Sequence, residues 1–198
     1  MADAPDTRTK ILDACHTLLI SDDGGSTRMS DIAKAAGLSR QAVYLHFKTR
    51  AELLIALTRH IDEVEDVAAR LAPSRAAKSG LERLDAYIEA WGGYIPVIYP
   101  VGRALMAMAP GDEAADLAWT DRMTAMRQGC DAAINALAAD GDLRPELNAQ
   151  TAAELLWALL SVRNWEALTQ SCGWPQAKYL HHMKALTRSY LCSQEAAS

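Results

Sequence analysis

The chain has 198 residues, half of them hydrophobic and 23% charged, with a net charge of −5. That length can bury a full core in one large or two small domains, and the composition excludes a disordered chain. No apolar run approaches the ~18 residues a membrane span needs, and MADAPDTRTK at the start lacks the apolar stretch of a secretory leader, so a cytoplasmic location is expected.

A single Phe, abundant Ala and few β-branched runs favour helix over strand. Residues 1–50 carry seven Lys/Arg against six Asp, and the remainder carries thirteen basic against nineteen acidic residues. A slightly basic head on an acidic body suits a nucleic-acid reader with a separate regulatory part. The four cysteines (Cys15, Cys130, Cys172 and Cys192) form no CxxC pair, so free or buried thiols are expected, without a disulfide or zinc site.

The predicted elements follow the punctuation. Segment 6–21 aligns Ile11, Leu12, Cys15, Leu18 and Leu19 on one helical face, and DDGG at 22–25 ends it. Thr27 can cap a short helix running to Ala36, stopped by Gly37 in a left-handed conformation, and Ser39 can cap the next, to about Phe47. Thr49-Arg50-Ala51-Glu52 is a capping-box pattern opening a helix expected to reach about Leu71, before Pro73. Leu81, Leu84, Ile88, Trp91 and Ile95 step by three and four, with Pro96 and Pro100 expected to break or kink that helix. A long helix over 112–139, a strongly apolar one from Asn148 to about Gln170, a Cys-Gly-Trp-Pro turn and a last helix carrying Tyr179, Met183, Leu186 and Tyr190 complete the chain. The expected fold is all-α, with about nine helices and no strand.

The two short helices around AAGLS (35–39) carry the strongest functional signal. A helix-turn-helix needs a small residue packed in its first helix, a Gly where the backbone turns left-handed and an apolar residue after it. Ala33, Gly37 and Leu38 fill these positions, with Ile32, Val43 and Leu45 as packing candidates. The second helix would lie in the major groove of DNA. Arg40 and Gln41 at its start suit guanine and adenine edges.

MSDIAKAAGLSRQAVYLHFKTRAELLIAL (29–57) resembles the DNA-binding signature of the TetR family: an Ile-Ala pair, a Gly-apolar-Ser turn, Tyr-x-His-Phe, a basic residue and Glu-Leu-Leu. The resemblance implies that Tyr44 and His46 touch the DNA backbone. Arg50 stands where the family usually has Lys, and Thr27 matches a threonine that caps the second helix and often meets a phosphate. Arg40 and Gln41 lie where the family varies its base contacts. Arg28, Ser39 and Lys48 complete the expected DNA-binding set. Read as residues alone, Tyr44 and His46 could be packing residues, Lys48 a solvated charge and Phe47 core.

Beyond this segment, the Gly-Asp-Leu-Arg-Pro loop and the apolar helix after it resemble the penultimate segment of family members, whose last two helices pair across a dimer. The apolar circumference of 149–170 also requires cover on several sides. Leu156, Leu160, Trp165, Tyr179, Met183 and Leu186 are the expected interface of a homodimer. The family places its effector cavity among the middle helices, which makes Trp91, Tyr94, Ile95, Met106, Trp119, Met123, Met126 and Trp157 candidates to line a pocket for an apolar or aromatic small molecule. The same side chains equally suit an ordinary core.

The expected function is a sequence-specific transcriptional regulator, a repressor released from a palindromic operator by such an effector. The expected division is a DNA-binding domain over 1–49 and an effector-binding and dimerisation domain over 50–198. The alternative keeps the DNA binding without a small effector. No GxSxG, HExxH, P-loop or GxGxxG occurs, and His181-His182 would point about 100° apart on a helix, so neither catalysis, a metal nor a cofactor is expected.

Overall fold

The computed structural model describes residues 6–21 and 27–193. The expected stop at 22–25 lies outside them. The described chain is helical, and its only extended pairing is an isolated antiparallel bridge between Leu143 and Cys192. Contacts group it into two compact units: residues 1–65 with 98–123, and residues 66–97 with 124–198.

The first unit holds α1 (Thr7–Ser21), α2 (Met29–Ala35), α3 (Arg40–His46) and α4 (Arg50–Val64). It also holds the end of α6 (Gly80–Met108), a 3₁₀ turn over Ala109–Gly111 and the start of α7 (Glu113–Ala139). α1 packs on α2 and α4, and α2 on α3. One continuous core joins Ile11, Leu12, Cys15 and Leu19 of α1 to Ile32, Val43, Phe47 and Leu53, and takes in Val101, Leu105 and Ala115. The periodicity of segment 6–21 is thus realised, with Leu18 only partly buried against that core.

Two expectations about helix ends change here. The helix opened by Thr49 stops at Val64 instead of reaching Leu71, because Asp66 takes a left-handed conformation (φ 47°) and caps a new helix, α5 (Val67–Ala76), by accepting from Ala69 N–H at 3.1 Å. An Asp side chain can stabilise this otherwise disfavoured conformation locally. Pro73 lies within α5 and does not terminate it. At the start of α2 the residue in the capping position is Arg28, not Thr27.

The second unit contains α5, the first part of α6, the rest of α7, α8 (Ala149–Leu159), α9 (Val162–Glu166), a π-type turn (Ala167–Ser171) and α10 (Gln176–Leu191). α6 runs through Pro96 without a break. Pro96 has no N–H for the carbonyl of Gly92, four residues back. Gln176 supplies the missing donor, its Nε2 bonding Gly92 O at 2.8 Å, while its Oε1 accepts from Trp165 Nε1 at 2.8 Å. α6 also continues through Pro100.

The apolar helix expected over 149–170 is two pieces. Asn148 caps the first as anticipated, accepting from Thr151 N–H at 2.8 Å. Ser161 caps the second through Asn164 N–H, and Trp91 Nε1 donates to Leu160 O at 2.9 Å, at the break between them. Tyr87 donates to Met126 O at 2.7 Å, and Arg188 pairs with Asp85, tying α10 to α6. No helix among the described residues is long and apolar enough to cross a membrane.

All four cysteines are free thiols, and only Cys172 is exposed. Burial pushes Cys15 up to about 12, against the pull of nearby Arg50, and burial likewise pushes Cys130 up to about 12. An aromatic disulfide reagent at pH 8 is expected to react with one thiol in the native protein and four in denaturant; rapid native reaction of a second thiol contradicts this burial. Replacing Gln176 with Ala removes the donor to Gly92 O and the acceptor of the Trp165 indole N–H, and leaves the Gly92 carbonyl without the donor its helix lacks. Such a buried group costs about 1–3 kcal/mol, and at this chain length each kcal/mol lowers the melting temperature by about 2–4 °C. An unchanged melting curve contradicts the role given to Gln176.

Candidate nucleic-acid interface

The turn between α2 and α3 is built as the sequence requires. Gly37 has φ 68°, a conformation that penalises a Cβ. Leu38 N–H closes back on Ala33 O at 2.9 Å, and Gly37 N–H on Lys34 O at 3.1 Å, which satisfies the last carbonyls of α2. Ser39 then caps α3, accepting from Ala42 N–H at 3.1 Å. α3 buries Val43, and Phe47 just beyond it is buried too, 2% exposed. The remaining face is open: Ser39, Arg40, Gln41, Tyr44 and His46 are all exposed, as are Arg28 before α2 and Lys48 after α3.

At about 100° per residue, Arg40, Tyr44, Gln41 and Leu45 fan out from one side of α3. Leu45 was expected to help pack the motif. It is instead 81% exposed, because Val43 and Phe47 fill the inward positions of so short a helix. Thr49 and Glu52 work as a capping pair, Thr49 Oγ1 accepting from Glu52 N–H at 3.1 Å. The glutamate reaches one residue further than a capping box requires and accepts from Lys48 N–H at 2.8 Å.

Arg50 departs from its expected role. Its guanidinium turns into the fold: Nε donates to Thr27 O, Nη1 pairs with Asp112 Oδ2, and Nη2 meets Met108 Sδ at 3.7 Å. The side chain is 18% exposed. A charge desolvated in this way is held by internal acceptors and is not available to a phosphate. Thr27 is also buried, 4% exposed, which leaves its side chain little area for a phosphate. Asp112 serves two helices at once. Its Oδ1 caps α7 through the N–H groups of Ala114 and Ala115, at 3.1 and 3.2 Å, and leaves Oδ2 for Arg50. Burial alone would raise the Asp112 carboxyl, but the Arg50 hydrogen bond and the two backbone donors outweigh it and hold the group below the usual carboxylate range.

Neither Asp112 nor Arg8 was marked by the sequence reading. Asp112 lies 62 residues from its partner, and no local pattern announces such a pair. Arg8 sits on α1 with its guanidinium 5.3 Å from the centre of the Phe47 ring. Arg8 and Phe47, with His46, Glu52, Arg59 and His60, line a cavity of about 570 Å³ beside the C-terminal end of α3.

The proposed effector residues divide between the units. Trp91, Tyr94, Ile95 and Met126 are buried in the second, where the Trp91 and Tyr94 rings lie 6.2 Å apart, while Trp157 stands 36% exposed. Met106, Trp119 and Met123 belong to the first unit, where Trp119 lies against Gly102. Of the proposed interface residues, Leu156, Leu160, Trp165, Tyr179 and Met183 are each at most 4% exposed within the single chain. A second copy cannot cover what is already covered; only Leu186, 50% exposed, offers area. The apolarity of 149–170 that suggested a partner is met largely from within the chain. Among the described residues, no group of three or more His, Cys, Asp or Glu is arranged to hold a metal.

Because Asp112 sits below its unfolded value of about 3.9, its pairing stabilises the fold fully above that pH, and the contribution is lost as pH falls through the lower folded value. Asp112→Asn keeps a competent helix cap but removes the charge. It is expected to lower stability at neutral pH, with the gap to the native protein closing below about pH 4. Arg50→Ala is expected to weaken duplex binding while leaving its salt dependence unchanged. A slope reduced by about 0.9 would instead make Arg50 a phosphate contact.

The family model for bacterial regulatory proteins of the tetR family matches residues 11–57. The chain is 36% identical over 72 residues to the HTH-type transcriptional regulator TtgR of Pseudomonas putida, a match covering 36% of this chain and 34% of that protein. The alignment thus spans about a third of the curated relative. Along nearly the whole chain the fold is that of a TetR-family transcriptional regulator from Rhodococcus, with TM-score 0.71, 24% identity and coverage of 93% of this chain and 98% of the other. It is similarly that of NalD, the secondary repressor of the MexAB-OprM multidrug efflux pump in Pseudomonas aeruginosa, with TM-score 0.67, 21% identity and coverage of 95% and 96%. The head over residues 11–57 matches the tetR-family model, and along nearly its whole length the chain shares the all-helical fold of these regulators.

Proposed function

We propose that this protein is a sequence-specific DNA-binding transcriptional regulator, a repressor that sits on a palindromic operator as a homodimer and leaves it when a small apolar or aromatic effector binds. One observation carries the DNA-binding part: a helix-turn-helix whose second helix buries Val43 and turns Arg40, Gln41 and Tyr44 outward, within a segment that matches the family model. In the major groove Arg40 suits guanine O6 and N7, and Gln41 suits adenine N6 and N7. Tyr44, His46, Lys48 and Arg28 then serve the phosphates on either side.

In this reading residues 1–49 read DNA, and residues 50–198 bind the effector and dimerise. The half-exposed Leu186 and Tyr190 of α10 support a pairing surface there. Two heads related by a two-fold axis suit two half-sites about one helical turn apart. The aromatic and Met side chains of the second unit support an apolar effector chemistry, and the name of NalD supports repression. An effector acts by fitting the released form better than the DNA-bound form.

The test is selection of bound fragments from random duplex DNA, followed by affinity measurement across salt concentrations. Enrichment of a two-half-site palindrome with a steep salt slope is expected. Arg40→Ala and Gln41→Ala are expected to relax preference at single base positions, each such loss being about 1–3 kcal/mol. Tyr44→Phe is expected to weaken all sequences alike. Failure to enrich any duplex overturns the DNA-binding reading. A melting screen addresses the effector, because a true ligand raises the midpoint by mass action. If no compound both raises the midpoint and releases the duplex, regulation without a small effector stands in its place.

A further inference from the structure

Leu45 is the most exposed of the large apolar side chains among the described residues, at 81%. A lone exposed leucine on an ordinary surface needs no explanation. This one shares the open face of α3 with Arg40, Gln41 and Tyr44, the surface that enters the groove in the function proposed above, on which this inference rests. Gln41 and Leu45 are neighbours along the helix at i and i+4.

A leucine neither donates nor accepts a hydrogen bond. Pressed against the edge of guanine, cytosine or adenine, it would strip water from a polar group and return no hydrogen bond. The major groove offers one apolar group, the 5-methyl of thymine. We propose that Leu45 is a specificity-determining residue that reads the methyl group of a thymine, next to the base pair contacted by Gln41. It selects thymine by apolar contact and rejects other bases by leaving their polar edges unpaired.

Deoxyuridine differs from thymidine only by that methyl group and pairs identically. The full-length chain is used with its selected duplex, and each thymine of the half-site is replaced in turn by deoxyuridine, symmetrically in both halves. At one position the native protein is expected to lose affinity by about 4-fold per half-site, the worth of one buried methyl group at about 0.8 kcal/mol. Leu45→Ala is expected to bind the two duplexes equally at that position, and Leu45→Met, which keeps the apolar contact, to retain the preference. Because the side chain is exposed, both variants are expected to melt with the native protein. Equal losses in the native protein and Leu45→Ala, or no loss at any thymine, overturn this inference and leave the DNA-binding reading intact. If no duplex is enriched at all, both fall together.

Discussion

Seven residues make too short a helix to persist in water, since isolated helices below about 12–15 residues are marginal, and α2 and α3 are both seven residues long. Everything on the open face of α3 therefore depends on what holds the pair from behind. Val43 and Phe47 anchor α3, Ile32 and Ala33 anchor α2, and both sets join one core with α1, α4 and residues 101–118. Gly37 sets the angle between them without steric cost, and Ser39 and Leu38 satisfy or cover what the turn leaves open. Local bonds fix the turn, and packing from far along the chain fixes its place.

The charges of this unit divide by what surrounds them. Arg28, Arg40 and Lys48 stay in water, where a solvated cation costs little and remains open to an outside anion. Arg50 is drawn inward, and an inward charge is stable only with acceptors around it. Thr27 O and Asp112 provide these, linking the chain before α2, the start of α4 and the start of α7 in one set of contacts. A side chain that resembles a phosphate contact by its place in the sequence thereby becomes internal structure.

The second unit shows the same principle with uncharged groups. A proline inside α6 and a break after α8 each leave a carbonyl without its helical donor. Gln176 answers the first and Trp91 the second. Two of the side chains that most resembled ligand-binding or interface residues, Trp91 and Trp165, are thus engaged in bonds that let irregular helices stay buried. Aromatic residues with a polar handle suit this work as well as they suit a pocket.

The sequence by itself determined the helical class, the position of the helix-turn-helix, the left-handed Gly37, the caps at Ser39, Thr49 and Asn148, and the outward face of Arg40, Gln41 and Tyr44. Each of these rests on neighbours within a few residues, where backbone geometry and periodicity are local. Only the tertiary structure decided that Arg50 turns inward to Asp112 and that Leu45 faces solvent. It also decided that α6 passes through its prolines, and that the apolar helix from 149 is covered by its own chain. Those outcomes depend on partners 23 to 103 residues away, such as Thr27 for Arg50, Gln176 for Gly92 and Asp85 for Arg188. A hydrogen bond or an ion pair is decided by which group lies within about 3 Å, and sequence spacing does not carry that distance.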